Sequence, residues 1–323
     1  MDPITFITAV QSLGAWLEAP MKFFSFLGSE DFFLLFLPLV YWAVDTSLGI
    51  QIGFILLAGT GLNQYFKMAL HGPRPYWLDT AVRGLASETS FGVPSGHAQI
   101  ATGLWGMLAY YYRKPWVWVS AIFLIFFIGF SRMYLGVHFL HDVLFGWILG
   151  ALTLWSFTQY WDAVKERVTC MGMWKQIGLA FAVTLVMVLI GVLINALSQG
   201  FVIPAEWIAN ATRDGNELLE PFHDSMQGIL TAAGTLFGLC IGLAWITPRG
   251  GFTADGPVWK RAVRFIIGLI GVIIFYAGLK AVFPEGDGLV PYTFRYIRYT
   301  LVGFWVSGLG PWVFAKLNLT ERQ

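Results

Sequence analysis

Three clusters between Lys67 and Asp142 hold the residue types that chemistry on an anionic ester requires. They are Lys67 with Arg74-Pro75, then Pro94-Ser95-Gly96-His97, then Ser131-Arg132 with His138 and Asp142. Three cations, two histidines and a carboxylate beside long apolar runs are costly there, which marks a functional site. His138 and Asp142 are four residues apart, so on a helix their side chains are neighbours on one face. An aspartate accepting a hydrogen bond from one imidazole nitrogen fixes the tautomer and leaves the other nitrogen a lone pair. That is the arrangement of an oriented nucleophile. Pro94-Ser95-Gly96-His97 reads as a loop turning into a helix. Gly96 lets the backbone approach an anion, and free N–H groups at a helix start bind phosphate oxygens. Ser95 can cap the helix or donate its hydroxyl, and His97 could protonate a departing alkoxide and then deprotonate a water. Arg74 offers a planar fork and Lys67 a mobile point charge. Arg132 completes a cradle of three cations for the charge of a phosphoryl transition state. Taken singly, each cluster has a plainer reading: a helix-start histidine with a local partner, an ordinary cap, or snorkelling cations. Taken together, the plainer readings fail.

These residues need elements that bring 76 positions to one place. Of 323 residues, 57% are hydrophobic and 12% charged, about half the charged share of a soluble domain. The fold class expected is all-α, a polytopic membrane helical bundle. An interfacial helix is expected at the N-terminus (residues 4–19, within 1–30). Nine spans should follow at about 31–47, 49–69, 97–112, 115–134, 138–160, 175–198, 225–246, 262–283 and 296–316, each near the ~20 residues a crossing needs. The 97–112 stretch carries Gln99, Thr102 and two glycines, which suits a helix packed inside the bundle. Up–down connectivity then places Lys67, Arg74, His97, Arg132 and His138 at one membrane face. Lys and Arg are more numerous on the opposite connections once the site cations are set aside. The positive-inside rule therefore puts the clusters on the extracytoplasmic side of a plasma (inner) membrane. The organisation expected is a phosphatase core over 31–160 and additional C-terminal spans over 161–323. For those spans dimerisation, lipid access and a further partner stay open, a homodimer among them.

Other classes drop out. Twenty basic residues against 19 acidic ones give a formal net charge of +1, which argues against nucleic acid as a partner. Two cysteines, Cys170 and Cys240, are too few for a disulfide framework or a Cys-based zinc site. The five histidines include no zinc-type spacing; His138 and His141 come nearest, three apart, and His141 and His71 read as interfacial polarity. No basic-then-apolar leader opens the chain, so targeting is expected to rest on the first span. The acidic connection 206–224 reads as a solvated loop.

The order and spacing of the clusters resemble the tripartite signature of the type-2 phosphatidate phosphatase (lipid phosphate phosphatase) and vanadium haloperoxidase superfamily, in its integral-membrane branch. The resemblance covers 49–160 well and does not reach 161–323. It implies His138 as nucleophile forming a phosphohistidine, Asp142 orienting it, and His97 as general acid. It implies Lys67, Arg74, Ser95, Gly96 and Arg132 as the phosphate-binding set, with no cofactor and no metal. Arg74-Pro75-Tyr76-Trp77 and Ser131-Arg132-Met133-Tyr134-Leu135 also look like glucose-6-phosphatases, a family that has no carboxylate at the position of Asp142. Arg132-Met133-Tyr134-Leu135-Gly136-Val137-His138 is closer to sphingosine-1-phosphate phosphatases. A lipid phosphate or isoprenyl (di)phosphate is therefore the expected substrate. A soluble phosphate ester and a lipid-to-lipid phosphotransfer stand as alternatives.

Overall fold

In a computed structural model, residues 2–213 and 218–320 are described. The fold is helical throughout these residues, as the apolar runs demand: in lipid a helix satisfies every backbone N–H and C=O within its own segment. Among the described residues six helices are long and apolar enough to cross a membrane, or seven if the bent pair Ala15–Phe26 and Glu30–Val44 counts as one span. The expected nine is not reached. Gly96–Tyr112, with 17 residues, is at the lower end of the length a crossing needs and is not among the six. The stretch expected at 296–316 starts in an arginine- and tyrosine-bearing helix, Leu289–Phe304, and passes through a π turn at Trp305–Leu309. Sidedness argued from nine alternating spans loses that footing.

The chain divides into two compact units. The first comprises Met1–Phe32, Leu62–Ser156 and Ile190–Met226. It contains α1 (Pro3–Gln11), α2 (Glu18–Phe26), the end of α4 (Thr46–Leu70), α5 (Pro75–Leu78), α6 (Gly96–Tyr112), α7 (Pro115–Tyr134), most of α8 (Leu140–Thr169) and α10 (Ala205–Thr212). Its core gathers Ile7, Trp77, Val82, Phe91, Ala98, Tyr134 and Val143, all fully buried. The N-terminal helix is part of this core. Gln11 in α1 donates to Arg83 O (2.8 Å) and Tyr134 O (3.0 Å) and accepts from Arg83 N, so it ties the 79–95 loop to the end of α7.

Helix α6 is the packed-in helix its polar and small residues predict, with Ala98, Gln99, Ala101, Thr102 and Leu104 buried. Asn63 in α4 donates to Gln99 Oε1 at 2.8 Å, a polar bond between helices of the kind that fixes register in a bundle. Against its other side lie Gly146 and Gly150 of α8. A Cβ at Gly146 would meet Ser95 O at 2.6 Å, and one at Gly150 would meet Gln99 O at 2.5 Å. Small residues four apart thus let the two backbones touch.

The second unit, Phe33–Gly61, Phe157–Leu189 and Gln227–Gln323, holds the rest of α3 (Glu30–Leu39), α9 (Met173–Leu197, in part), α11 (Pro221–Ile246), α12 (Val258–Ile273), α13 (Leu289–Phe304) and α14 (Gly310–Lys316). Trp42 is buried and donates its indole N–H to Val306 O at 2.8 Å, while Trp305 donates to Gly268 O at 2.8 Å. Buried Arg264 closes the 253–255 turn through three backbone carbonyls. Here indole and guanidinium groups satisfy backbone oxygens that apolar surroundings would otherwise strand.

Candidate active site

Four helix ends of the first unit meet at the clusters. Lys67 lies in the last turn of α4, His97 in the first turn of α6, Arg132 in the last turn of α7, and His138 just ahead of α8. Arg74 precedes α5, a short helix whose first residue is Pro75, well suited to a helix start.

His138 and Asp142 are both buried and lie as the four-residue spacing requires, Nδ1 to Oδ2 at 3.3 Å. Asp142 is itself held, because its Oδ2 accepts the Phe139 N–H at 2.9 Å. On the other side of the ring, Arg74 Nη1 lies 3.2 Å from Nε2. An arginine can only donate, so Nε2 carries the lone pair and Nδ1 the proton that faces Asp142. Burial, reinforced by the Arg74 charge, pushes the His138 pKa down to about 3 against the pull of Asp142. The ring is therefore a neutral base with its lone pair directed at the arginines.

Arg74 is fully buried and makes one of the densest polar sets in the unit. Nε donates to Ser90 O (2.7 Å), Nη1 to Val137 O (3.0 Å), and Nη2 to Ser90 Oγ (3.0 Å) and Phe91 O (3.2 Å). Lys67 Nζ donates to the same Ser90 hydroxyl at 2.8 Å. Arg132 donates to Ser25 of α2. Ser95 caps α6 by accepting from Ala98 N at 3.4 Å, and its own N–H donates to Asp142 O at 3.0 Å. That bond ties the second cluster to the third. Gly96, the first residue of α6, faces Asn63, whose Oδ1 a Cβ would meet at 3.3 Å. Partly exposed His97 has no side-chain hydrogen bond among the described residues, yet it interacts electrostatically with Arg132, Glu88 and His138.

Every residue singled out in the sequence thus falls in one unit, and Lys67, Arg74, Arg132, His138 and Asp142 interlock directly or through shared partners. The structure adds residues outside the three clusters. Glu88 pairs with Arg74 Nη2 at 3.3 Å and with Arg132 Nη2, one carboxylate oxygen to each. Burial alone would raise its pKa, but Arg74 and Arg132, helped by His97 and Lys67, hold it well below the usual carboxylate range. The two arginines thus converge on one anion, the Glu88 carboxylate. Tyr76 clamps the Glu88 backbone by donating to its carbonyl (2.9 Å) and accepting from its N–H (3.2 Å). Glu88 and Ser90 lie in a loop of ordinary polar composition, so no local spacing marks them. His141, expected as interfacial polarity, places Nε2 3.0 Å from Asp142 Oδ1 and stacks on Phe139. Among the described residues, no group of three His, Cys, Asp or Glu is placed to hold a metal ion.

Glucose-6-phosphatase 3 of Homo sapiens is 34% identical over 180 residues, 48% of this chain and 52% of that protein. The mouse protein of the same name is 28% identical over 97% of this chain and 94% of its own length. Phosphatidylglycerophosphatase B of Bacillus subtilis is 29% identical over 47% of this chain and 78% of its own. This chain thus spans about half the length of the human relative. A crystal structure of a transmembrane PAP2-type phosphatidylglycerolphosphate phosphatase from Bacillus subtilis has a TM-score of 0.42 at 25% identity, over 50% of this chain and 86% of that one. Residues 48–166, which contain all three clusters, match the PAP2 superfamily model. Residues 230–322, where the sequence resemblance had run out, match the PAP2 superfamily phosphatase transmembrane extension. The chain is a membrane protein of the PAP2 phosphatase superfamily.

Proposed function

We propose that this chain hydrolyses a lipid phosphate or isoprenyl (di)phosphate monoester, without a metal, through a phosphohistidine at His138. The observation that carries the reading is the buried His138–Asp142 pair, with Nε2 facing the Arg74 guanidinium. His138 Nε2 attacks phosphorus, and the P–O bond to the alcohol breaks as His97 gives that oxygen a proton. His97 then takes a proton from water, whose oxygen displaces phosphate from Nε2. Lys67, Arg74 and Arg132, with Ser95 and the Gly96 amide, hold the equatorial oxygens and stabilise their charge more in the transition state than in the ester. Four helix ends, three of them from candidate membrane spans, converge on the cradle, which suits a head group presented while its tail stays in lipid. The face proposed is the extracytoplasmic face of a plasma (inner) membrane.

A soluble ester is the second reading. The near full-length similarity to mouse glucose-6-phosphatase 3 favours it, whereas the seated Asp142 carboxylate favours the lipid branch. Phosphate release by the purified protein with EDTA present separates the two. Phosphatidate, sphingosine 1-phosphate, undecaprenyl diphosphate and glucose 6-phosphate form the panel. The lipid reading predicts release from at least one lipid that is lost in His138→Ala. Release from glucose 6-phosphate alone would replace it with the soluble-ester reading. Turnover that survives His138→Ala would remove the nucleophile.

A further inference from the structure

We propose that Asp224, braced by Thr89, is a specificity-determining carboxylate beside the phosphate cradle, reading a hydroxyl or ammonium donor on the alcohol half of the substrate. This rests on the hydrolase reading above and narrows its substrate class. Ser90 belongs to the cradle, since its side chain takes Lys67 and Arg74 together. The adjacent Thr89 donates its hydroxyl to Asp224 Oδ2. Asp224 is partly buried, and its charge acts on Lys67. Its second oxygen has no partner among the described residues. The carboxylate therefore stands one residue from the cradle with an acceptor unused.

Its position is built by the segment leading to it. Ser198 Oγ donates to Met68 O at 3.1 Å, and Phe201 stacks on His71 with ring centres 4.3 Å apart. Asn210 donates to Trp77 O at 2.9 Å, Arg213 to Thr80 O at 3.1 Å, and Phe222 meets the Phe91 edge at 5.1 Å. These bonds dock residues 198–213 and Phe222 on α4, α5 and the loop that carries Thr89 and Ser90. In the sequence Asp224 looks like one acid of a solvated loop. In the structure it sits at the first turn of α11 against the site loop.

A carboxylate here repels the phosphate it adjoins, as like charges do. Its presence is offset only by an interaction that another part of the substrate supplies. A carboxylate accepts hydrogen bonds and donates none, so the match is a hydroxyl or an ammonium a few bonds from the ester oxygen. Lysophosphatidate, sphingosine 1-phosphate and a sugar phosphate have such donors. A plain isoprenyl chain has none, and a second phosphoryl group would add repulsion.

The test is kcat/KM for matched esters, with the full chain in detergent and EDTA. One pair is lysophosphatidate and its analogue lacking the free hydroxyl; the other is glucose 6-phosphate and hexyl phosphate. The expected result is a preference for the hydroxyl ester of about tenfold or more, the size of one charge-assisted hydrogen bond. It should fall toward unity in Asp224→Ala and stay intermediate in Asp224→Asn, whose amide oxygen still accepts. The ratio is internal to each preparation, so partial misfolding does not mimic the effect, and Asp224→Asn gives the reading if the alanine variant does not fold. Preference within the lysophosphatidate pair assigns a membrane lipid, and within the sugar pair a soluble ester. A wild-type ratio of unity, or one that Asp224→Ala leaves unchanged, overturns the proposal while leaving the phosphatase intact. No release from any ester overturns the hydrolase reading and this inference with it.

Discussion

A phosphate entering the proposed cradle would find its place held by Glu88. Two arginines that share a carboxylate are partly neutralised and ordered at once, which lowers the cost of burying them. Binding phosphate then means exchanging one anion for another. Glu88→Gln should therefore bind inorganic phosphate or vanadate more tightly, by about tenfold, the loss of one charge-assisted competitor. The inhibition constant is the readout, and weaker binding would mean that Glu88 organises the arginines for the ester. The carboxyl is held well below its ordinary value of 4.5. Its contribution to stability is thus present above that value and lost as pH falls through the folded pKa. Wild type should accordingly lose more melting temperature on acidification than Glu88→Gln. This residue was hidden in the sequence, because what identifies it is contact with Arg74 and Arg132, 14 and 44 positions away. The His138–Asp142 pair was legible because it lies within one helical turn.

At the level of the helices, α6 and α8 set the distance between the proposed general acid and the proposed nucleophile. His97 starts one and His138 stands at the entrance to the other, and Gly146 and Gly150 let the two backbones touch. In Gly150→Ala the new methyl would press on Gln99 O and Thr102. The variant should lose about 1–3 kcal/mol, with kcat falling as the two histidines are forced apart. Gly178→Ala in α9 is the control, since nothing lies within 4 Å of its Cβ, and alanine there should stabilise by up to about 1 kcal/mol. Thermal unfolding in detergent checks both, and equal shifts would mean the α6–α8 contact is loose. The sequence pointed to α6 as a packed helix through Gln99, Thr102 and its glycines. The nine spans expected are not all matched by helices long and apolar enough to cross, because apolarity alone does not report a break such as the one at Trp305–Leu309.

For the molecule as a whole, family membership covers two stretches, residues 48–166 and 230–322. Between them lies a segment whose last part, Ile190–Met226, belongs to the same compact unit as the three clusters. Composition could not reveal this. The segment docks through single backbone carbonyls, ring contacts at His71 and Phe91 and the Thr89–Asp224 hydrogen bond, none of which leaves a periodic pattern in the sequence. The central claim is that turnover passes through a covalent bond between phosphorus and His138. Its most direct test is to quench turnover of a substrate carrying labelled phosphate and map the label on the protein. The account predicts an acid-labile, base-stable label on the peptide containing His138, absent in His138→Ala. A label on another residue, or rapid turnover with no trapped label under conditions that preserve phosphohistidine, would contradict it.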